Sequence, residues 1–209
     1  MPRSETAISI LGFGDSLTAG TPGYDPLDQS GDERSQYGHW LTLLGKRERG
    51  LTIEYDNQGV PGELAQHMLP RLRKIMNQRC YSIVIILAGS NDLGWGRDAR
   101  AVYGHVSVLW EHALDKGSEV VACTVPPVGF AYPGLHETQS RFNEMILGAA
   151  AMYKNLIVAD LFGGLSNEDG LLIPEFDSGD GLHLNTEGYR CMGELIWLRA
   201  LRPLLNSTI

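Results

Sequence analysis

The chain is predicted to be an α/β protein built on a parallel sheet with helices on both faces. Three observations predict it. Short β-branched runs alternate with longer segments of helical periodicity along the whole sequence. The run Ser82-Ile83-Val84-Ile85-Ile86-Leu87-Ala88 is apolar without alternation, as in a central strand covered on both sides. The 209 residues, 43% hydrophobic and 20% charged, suit one globular domain with a sizeable core, and residues 1–209 show no linker, repeat or low-complexity tract.

The elements follow in order. The first strand, 7–13, reads Ala7-Ile8-Ser9-Ile10-Leu11-Gly12-Phe13 and breaks into the turn-forming Gly14-Asp15-Ser16. Further strands are expected at 51–55, 82–88, 119–125 and 155–160, with helices at about 36–49, 63–78, 98–116, 137–154 and 186–202. In the second helix, Leu64, Met68, Leu72, Ile75 and Met76 recur at spacings of three and four, which lines one apolar face. The cations of that region, Arg71, Arg73, Lys74 and Arg79, read as its solvated face. Asn185 can cap the last helix and Pro203 marks its expected end.

A net charge of −8 disfavours nucleic acid and anionic membranes as partners. The longest apolar run, 83–88, is far too short to span a membrane. The N-terminus, Met1-Pro2-Arg3-Ser4-Glu5-Thr6, has no charged start followed by a long apolar stretch, so no secretory leader is read and a cytoplasmic location is expected. Cys80, Cys123 and Cys191 are odd in number and widely spaced, which fits buried thiols in a reducing compartment. His39, His67, His105, His112 and His136 form no ligand spacing, and the acidic stretch from Tyr24 to Glu33 lacks the alternating carboxylates of a calcium loop. No metal or other cofactor is expected.

In open parallel sheets, ligands bind beyond the C-terminal strand ends, so the segments leaving the strands are where chemistry is sought. Gly14-Asp15-Ser16-Leu17 follows the first. It is no dinucleotide fingerprint, because the third glycine would fall at Leu17, and no phosphate loop, because no lysine precedes Lys46. Nor is it the nucleophile elbow of α/β-hydrolases, which needs glycine where Thr18 stands. Asn57-Gln58-Gly59 follows the second strand and reads as a turn, or as a backbone N–H open to a substrate. Gly89-Ser90-Asn91-Asp92 follows the third; Asn91 could cap a helix or donate to a developing oxyanion. Far downstream, Asp180-Gly181-Leu182-His183 pairs a carboxylate with an imidazole three residues on. A carboxylate there can hold the ring in one tautomer while the other nitrogen serves a nucleophile; Asp177 is a less favourable substitute acid. Serine, histidine and aspartate are together the side chains of nucleophilic acyl transfer.

With these four blocks in order, the chain resembles the GDSL or SGNH hydrolase family over nearly its whole length. Ser90, where many members have threonine, is a mild departure. The resemblance implies a flavodoxin-like three-layer α/β/α sandwich whose five parallel strands are ordered 2-1-3-4-5. It implies Ser16 as nucleophile, His183 as base and acid, and Asp180 as its orienter. The oxyanion hole would be the N–H groups of Ser16 and Gly59 with the Asn91 side chain. The implied activity is carboxylic ester hydrolysis through an acyl-serine. Trp95, Phe130 and Tyr132, with Asp15 beside the nucleophile, are assigned to the substrate site, and bulky aromatics at its mouth suggest short acyl or acetyl esters. The alternatives are a lysophospholipase or thioesterase with the same triad, and a non-catalytic binding domain on the same scaffold. The expected partner is a small-molecule ester.

Overall fold

The structure, a computed structural model, describes residues 7–207. Residues 1–6, on which the leader reading rests, lie outside the described residues. In chain order the strands are β1 (Ala7–Gly14), the short hairpin β2 (Tyr24–Asp25) and β3 (Ser30–Gly31), β4 (Thr52–Gly59), β5 (Ile83–Leu87), β6 (Glu119–Cys123) and β7 (Leu156–Ala159). The helices are α1 (Ser16–Ala19), α2 (Tyr37–Arg49), α3 (Ala65–Gln78), α4 (Ser90–Gly94), α5 (Ala99–Asp115), α6 (Leu135–Ala149), α7 (Phe162–Leu165), α8 (Thr186–Ile196) and α9 (Arg202–Ser207).

Five strands pair in the order β4-β1-β5-β6-β7, and every pairing is parallel. Numbered among themselves, these are 2-1-3-4-5, the expected order. Strand residues alternate between the faces. Leu11, Phe13, Val84, Ile86, Val120 and Ala122 meet α3, α5 and α6 through Met68, Leu72, Val106, Trp110 and Phe142. Ile10, Ile83, Ile85, Leu87, Val121 and Cys123 meet α2 and α8 through Tyr37, Leu41, Tyr189, Met192 and Ile196. Each such aliphatic side chain contributes about 1.5–3 kcal/mol by leaving water. Two cores on opposite sides of one sheet therefore fix its plane.

The register decides where function can sit. Gly14 lies level with Gly59 on one side and with Leu87 on the other. Three neighbouring strands therefore end at one line, and the segments after them emerge side by side.

Several boundaries differ from the sequence reading. β4 runs four residues past the expected 55, because β1 offers it a parallel partner through Gly14. The helix expected at 137–154 begins at Leu135 and ends at Ala149. Pro203 does not stop the last helix. A π turn, Trp197–Leu201, widens the coil just before it, with the Arg202 N–H donating to the Trp197 carbonyl, and the chain continues as α9. Of the three free cysteines, Cys123 is buried and Cys191 half-buried, but Cys80 is exposed rather than in the core. Among the described residues, no helix is long and apolar enough to cross a membrane.

Gly12 in β1 shows how closely the layer over the sheet is packed. A Cβ there would lie 2.0 Å from the Tyr55 hydroxyl oxygen, 2.6 Å from Tyr55 Cζ and 2.9 Å from the Tyr37 hydroxyl oxygen. Gly12→Ala should therefore destabilise the protein by about 1–3 kcal/mol in denaturant unfolding. Adding Tyr55→Phe, which removes the nearest atom, should recover part of the loss. An unchanged midpoint in Gly12→Ala would contradict this packing.

Candidate active site

Ser16 is the first residue of α1, a single turn entered directly from β1. The turn forms because the Asp15 side chain accepts from the Leu17 N–H at 3.0 Å while the Asp15 carbonyl accepts from Thr18 and Ala19. Gly20, with φ of 106°, ends it. Ser16 is thereby held at the strand end, and its own N–H, at the first helical position, has no intrahelical acceptor.

The loop before α8 supplies the imidazole. Asp180 Oδ1 accepts from the N–H groups of Leu182 (2.9 Å) and His183 (2.8 Å), which folds the Asp-Gly-Leu-His stretch into a tight bend. Asp180 Oδ2 then lies 2.6 Å from His183 Nδ1, and His183 Nε2 lies 2.9 Å from Ser16 Oγ. An ionised carboxylate can only accept, so the ring proton sits on Nδ1 and Nε2 is left to accept from the serine hydroxyl. Burial pushes the Asp180 pKa up, but the His183 N–H, the His183 ring and the Leu182 N–H outweigh it and hold the pKa at about 2. Asp177 is not a second acid here: its Oδ1 accepts from Gly179 and Gly181 N–H and so shapes the loop. Gly129 N–H, from the segment after β6, bonds the Gly181 carbonyl at 2.7 Å and ties the loop to the sheet.

Gly59, the last residue of β4, sits against α1. A Cβ on it would fall 2.1 Å from Ala19 N and 2.8 Å from the Asp15 carbonyl oxygen, so only glycine allows this approach. Its N–H donates to Asn57 Oδ1 at 3.1 Å, while Asn57 Nδ2 donates to the Ala19 carbonyl and Gln36 Oε1. Asn57, read from sequence as part of a turn, is the pin that holds this strand end to α1. Asn91, in α4, donates from Nδ2 to the Glu63 carbonyl at 3.1 Å. Its neighbour Asp92 is fully buried and caps α3 by accepting from the Ala65 N–H at 2.9 Å.

Beside Asn91 opens a cavity of about 370 Å³ walled by Leu17, Leu93, Val125, Pro126 and Leu182. Trp95, Phe130 and Tyr132 rim it, and Trp95 is 79% exposed. Ser90 and Gln139 also line it; Ser90 Oγ is buried with no hydrogen-bond partner among the described residues. Buried Asn143 fixes the wall by exchanging two hydrogen bonds with the Val125 backbone, at 2.8 and 2.9 Å. Tyr24 stands elsewhere, in a larger and more polar hollow of about 620 Å³ between α2 and the edge strand β4. Of Ser16, Asn91 and His183, only Asn91 lines the smaller cavity and none lines this hollow, so its larger size does not make it the reacting centre.

Asp15 lines neither of these cavities. It is fully buried beneath Ser16, so its expected place against substrate is corrected to that of a capping residue. Burial, opposed by the Leu17 N–H and reinforced by the Asp92 and Glu63 carboxylates, pushes its pKa up to about 7. Arg71 is the other correction. Arg73, Lys74 and Arg79 are exposed as expected, but Arg71 turns inward, its guanidinium 4.1 Å over the Phe13 ring and paired with Glu63. The signal was present: Arg71 follows Leu64 by seven and Met68 by three, which places it on the apolar stripe. Among the described residues, no group of three or more His, Cys, Asp and Glu is arranged to hold a metal.

The sequence profile of the GDSL-like lipase/acylhydrolase family matches residues 13–191. Among curated proteins, no sequence matches the chain. Solved structures of similar fold include a family 3 carbohydrate esterase from Clostridium thermocellum, 20% identical with a TM-score of 0.75 over 96% of this chain and 98% of that one. The acetylxylan esterase Axe2 from Geobacillus stearothermophilus is 16% identical, with a TM-score of 0.75 over 93% and 94%. A member of the lipolytic protein G-D-S-L family from Veillonella parvula is 23% identical, with a TM-score of 0.73 over 93% and 98%. With the profile running from the end of β1 into α8, the chain belongs to the GDSL-like lipase/acylhydrolase family and is a hydrolase.

Proposed function

We propose that the protein hydrolyses carboxylic esters of short acyl groups through an acyl-serine intermediate. The observation that carries this reading is the unbroken relay from Asp180 Oδ2 to His183 Nδ1 at 2.6 Å and from His183 Nε2 to Ser16 Oγ at 2.9 Å. Ser16 Oγ attacks the ester carbonyl as Nε2 takes its proton. Asp180, anionic well below neutral pH, stabilises the imidazolium that forms. The Ser16 N–H and the second N–H of the Asn91 amide donate to the oxyanion, and the Gly59 N–H joins them by giving up its bond to Asn57 Oδ1. His183 then protonates the leaving alkoxide. Water, deprotonated by the same nitrogen, releases the acid and regenerates Ser16.

Short acyl groups are favoured by the composition of the cavity. Its walls are aliphatic, but Ser90 Oγ and Gln139 are polar positions among them. The cavity, about 370 Å³ and rimmed by Trp95, Phe130 and Tyr132, offers room for a short acyl group. The exposed rings of Trp95 and Tyr132 lie outward, where a flat alcohol or sugar group can rest. The structures of similar fold include a carbohydrate esterase and an acetylxylan esterase, which supports including sugar esters among the substrates tested.

Ser16→Ala should lower turnover of a simple ester by roughly 10⁴-fold or more and abolish labelling by a fluorophosphonate probe. Wild-type labelling with undiminished Ser16→Ala activity, in protein free of host esterase, would refute the acyl-serine reading. Across a p-nitrophenyl ester series, kcat/KM should peak between acetyl and butyryl. A maximum at long chains would overturn the short-acyl reading in favour of a lysophospholipase or thioesterase using the same three residues.

A further inference from the structure

The Arg71 guanidinium donates to three groups that shape the proposed oxyanion hole. Nη1 donates to the Gln58 carbonyl at 2.7 Å, one residue before Gly59. Nη2 donates to the Gly14 carbonyl at 3.2 Å, at the end of β1 just before the nucleophile turn. Nε bridges the Glu63 carboxylate at 3.0 and 3.2 Å, and Nη2 also reaches Glu63 Oε2. The backbone carbonyl of that same Glu63 accepts from Asn91 Nδ2. Gly14 O is shared with the Val60 N–H at 3.0 Å, so the loop between β4 and α3 is fastened to β1 at several points. The pair is well shielded, with 21% of the Arg71 side chain and 13% of the Glu63 side chain exposed.

From this arrangement we infer that Arg71 is a positioning residue of the oxyanion hole, locking the 58–63 loop so that the Asn91 amide, and the Gly59 N–H once it leaves Asn57 Oδ1, are held where charge develops. The inference rests on the ester-hydrolase reading of Ser16. Arg71 touches no reacting atom; it acts through the loop. Its planar fork suits the task because one rigid group must serve two carbonyls and a carboxylate at fixed angles. A lysine ammonium would keep the charge but has no such fork. A displacement of about 1 Å in such donors costs on the order of 10²-fold in rate, and the loss falls on the transition state rather than on ground-state binding.

The test is a double-mutant cycle between Arg71→Lys and Asn91→Ala, with folding checked by circular dichroism and thermal melting. Arg71→Lys keeps a cation beside Glu63, and the folded variant should lose about 10–10²-fold in kcat with KM changed little. Asn91→Ala should lose about 10²–10³-fold. The double variant should lose clearly less than the product of the two, because Arg71 acts partly through Asn91. Should Arg71→Lys fail to fold, Glu63→Gln replaces it in the cycle, since it weakens the same clamp while keeping the Glu63 backbone carbonyl. A folded clamp variant with wild-type kcat, or losses that multiply in full, would overturn the inference. Either result with Ser16-dependent hydrolysis intact leaves the ester-hydrolase reading standing, whereas activity independent of Ser16 removes that reading first.

Discussion

The hydrogen bond between Ser16 Oγ and His183 Nε2 joins residues 167 apart in sequence, and the two ends of the chain serve the geometry of that bond. On one side, β1 is wedged between β4 and β5, and all three strands stop at the same level. On the other, α8 starts from Asn185, whose side chain accepts from the Gly188 N–H and donates to the Glu175 and Asp177 carbonyls. The bend carrying His183 is thus tied at its base and, through Gly129, to the segment leaving β6. Neither end has freedom to drift, so the donor and acceptor meet without an ordering cost at the moment of reaction.

Two aspartates close to this bond have opposite surroundings. Asp180, with 48% of its side chain exposed, is surrounded by donors and is strongly acidic. Asp15 has one capping donor for its Oδ1, an Oδ2 with no hydrogen bond among the described residues, and two carboxylates nearby. The carboxyl directly beneath the nucleophile thus carries less negative charge near neutral pH than a solvated aspartate would, while the one behind the imidazole keeps its full charge. On the proposed acyl-serine reading, that difference places negative charge where an imidazolium would form and reduces it beside Ser16. Arg71, ion-paired with Glu63, also donates to the Gln58 and Gly14 carbonyls close by.

Much of this was legible in the sequence where the information is local. The apolar run at 83–87 could only be a covered strand, and an aspartate three residues before a histidine sets up its own bend. What was not legible depended on partners distant in sequence. β4 continues to Gly59 because β1 lies alongside it, not because Asp56-Asn57-Gln58 has strand propensity. Pro203 is accommodated by a π turn that no local rule announces. Asp15 was assigned to the substrate site because it neighbours Ser16, but the turn that carries Ser16 buries Asp15 completely. Arg71 was grouped with exposed cations by charge, although its helical phase put it on the buried stripe.

The central claim is that Asp180 holds His183 with its proton on Nδ1 and its Nε2 lone pair toward Ser16. Nitrogen-15 and proton NMR of the imidazole reads this directly. The neutral ring should show a protonated Nδ1 with a strongly downfield proton, a bare Nε2, and loss of the downfield signal in Asp180→Asn. A neutral ring protonated at Nε2 and bare at Nδ1 in the wild-type protein would contradict the account.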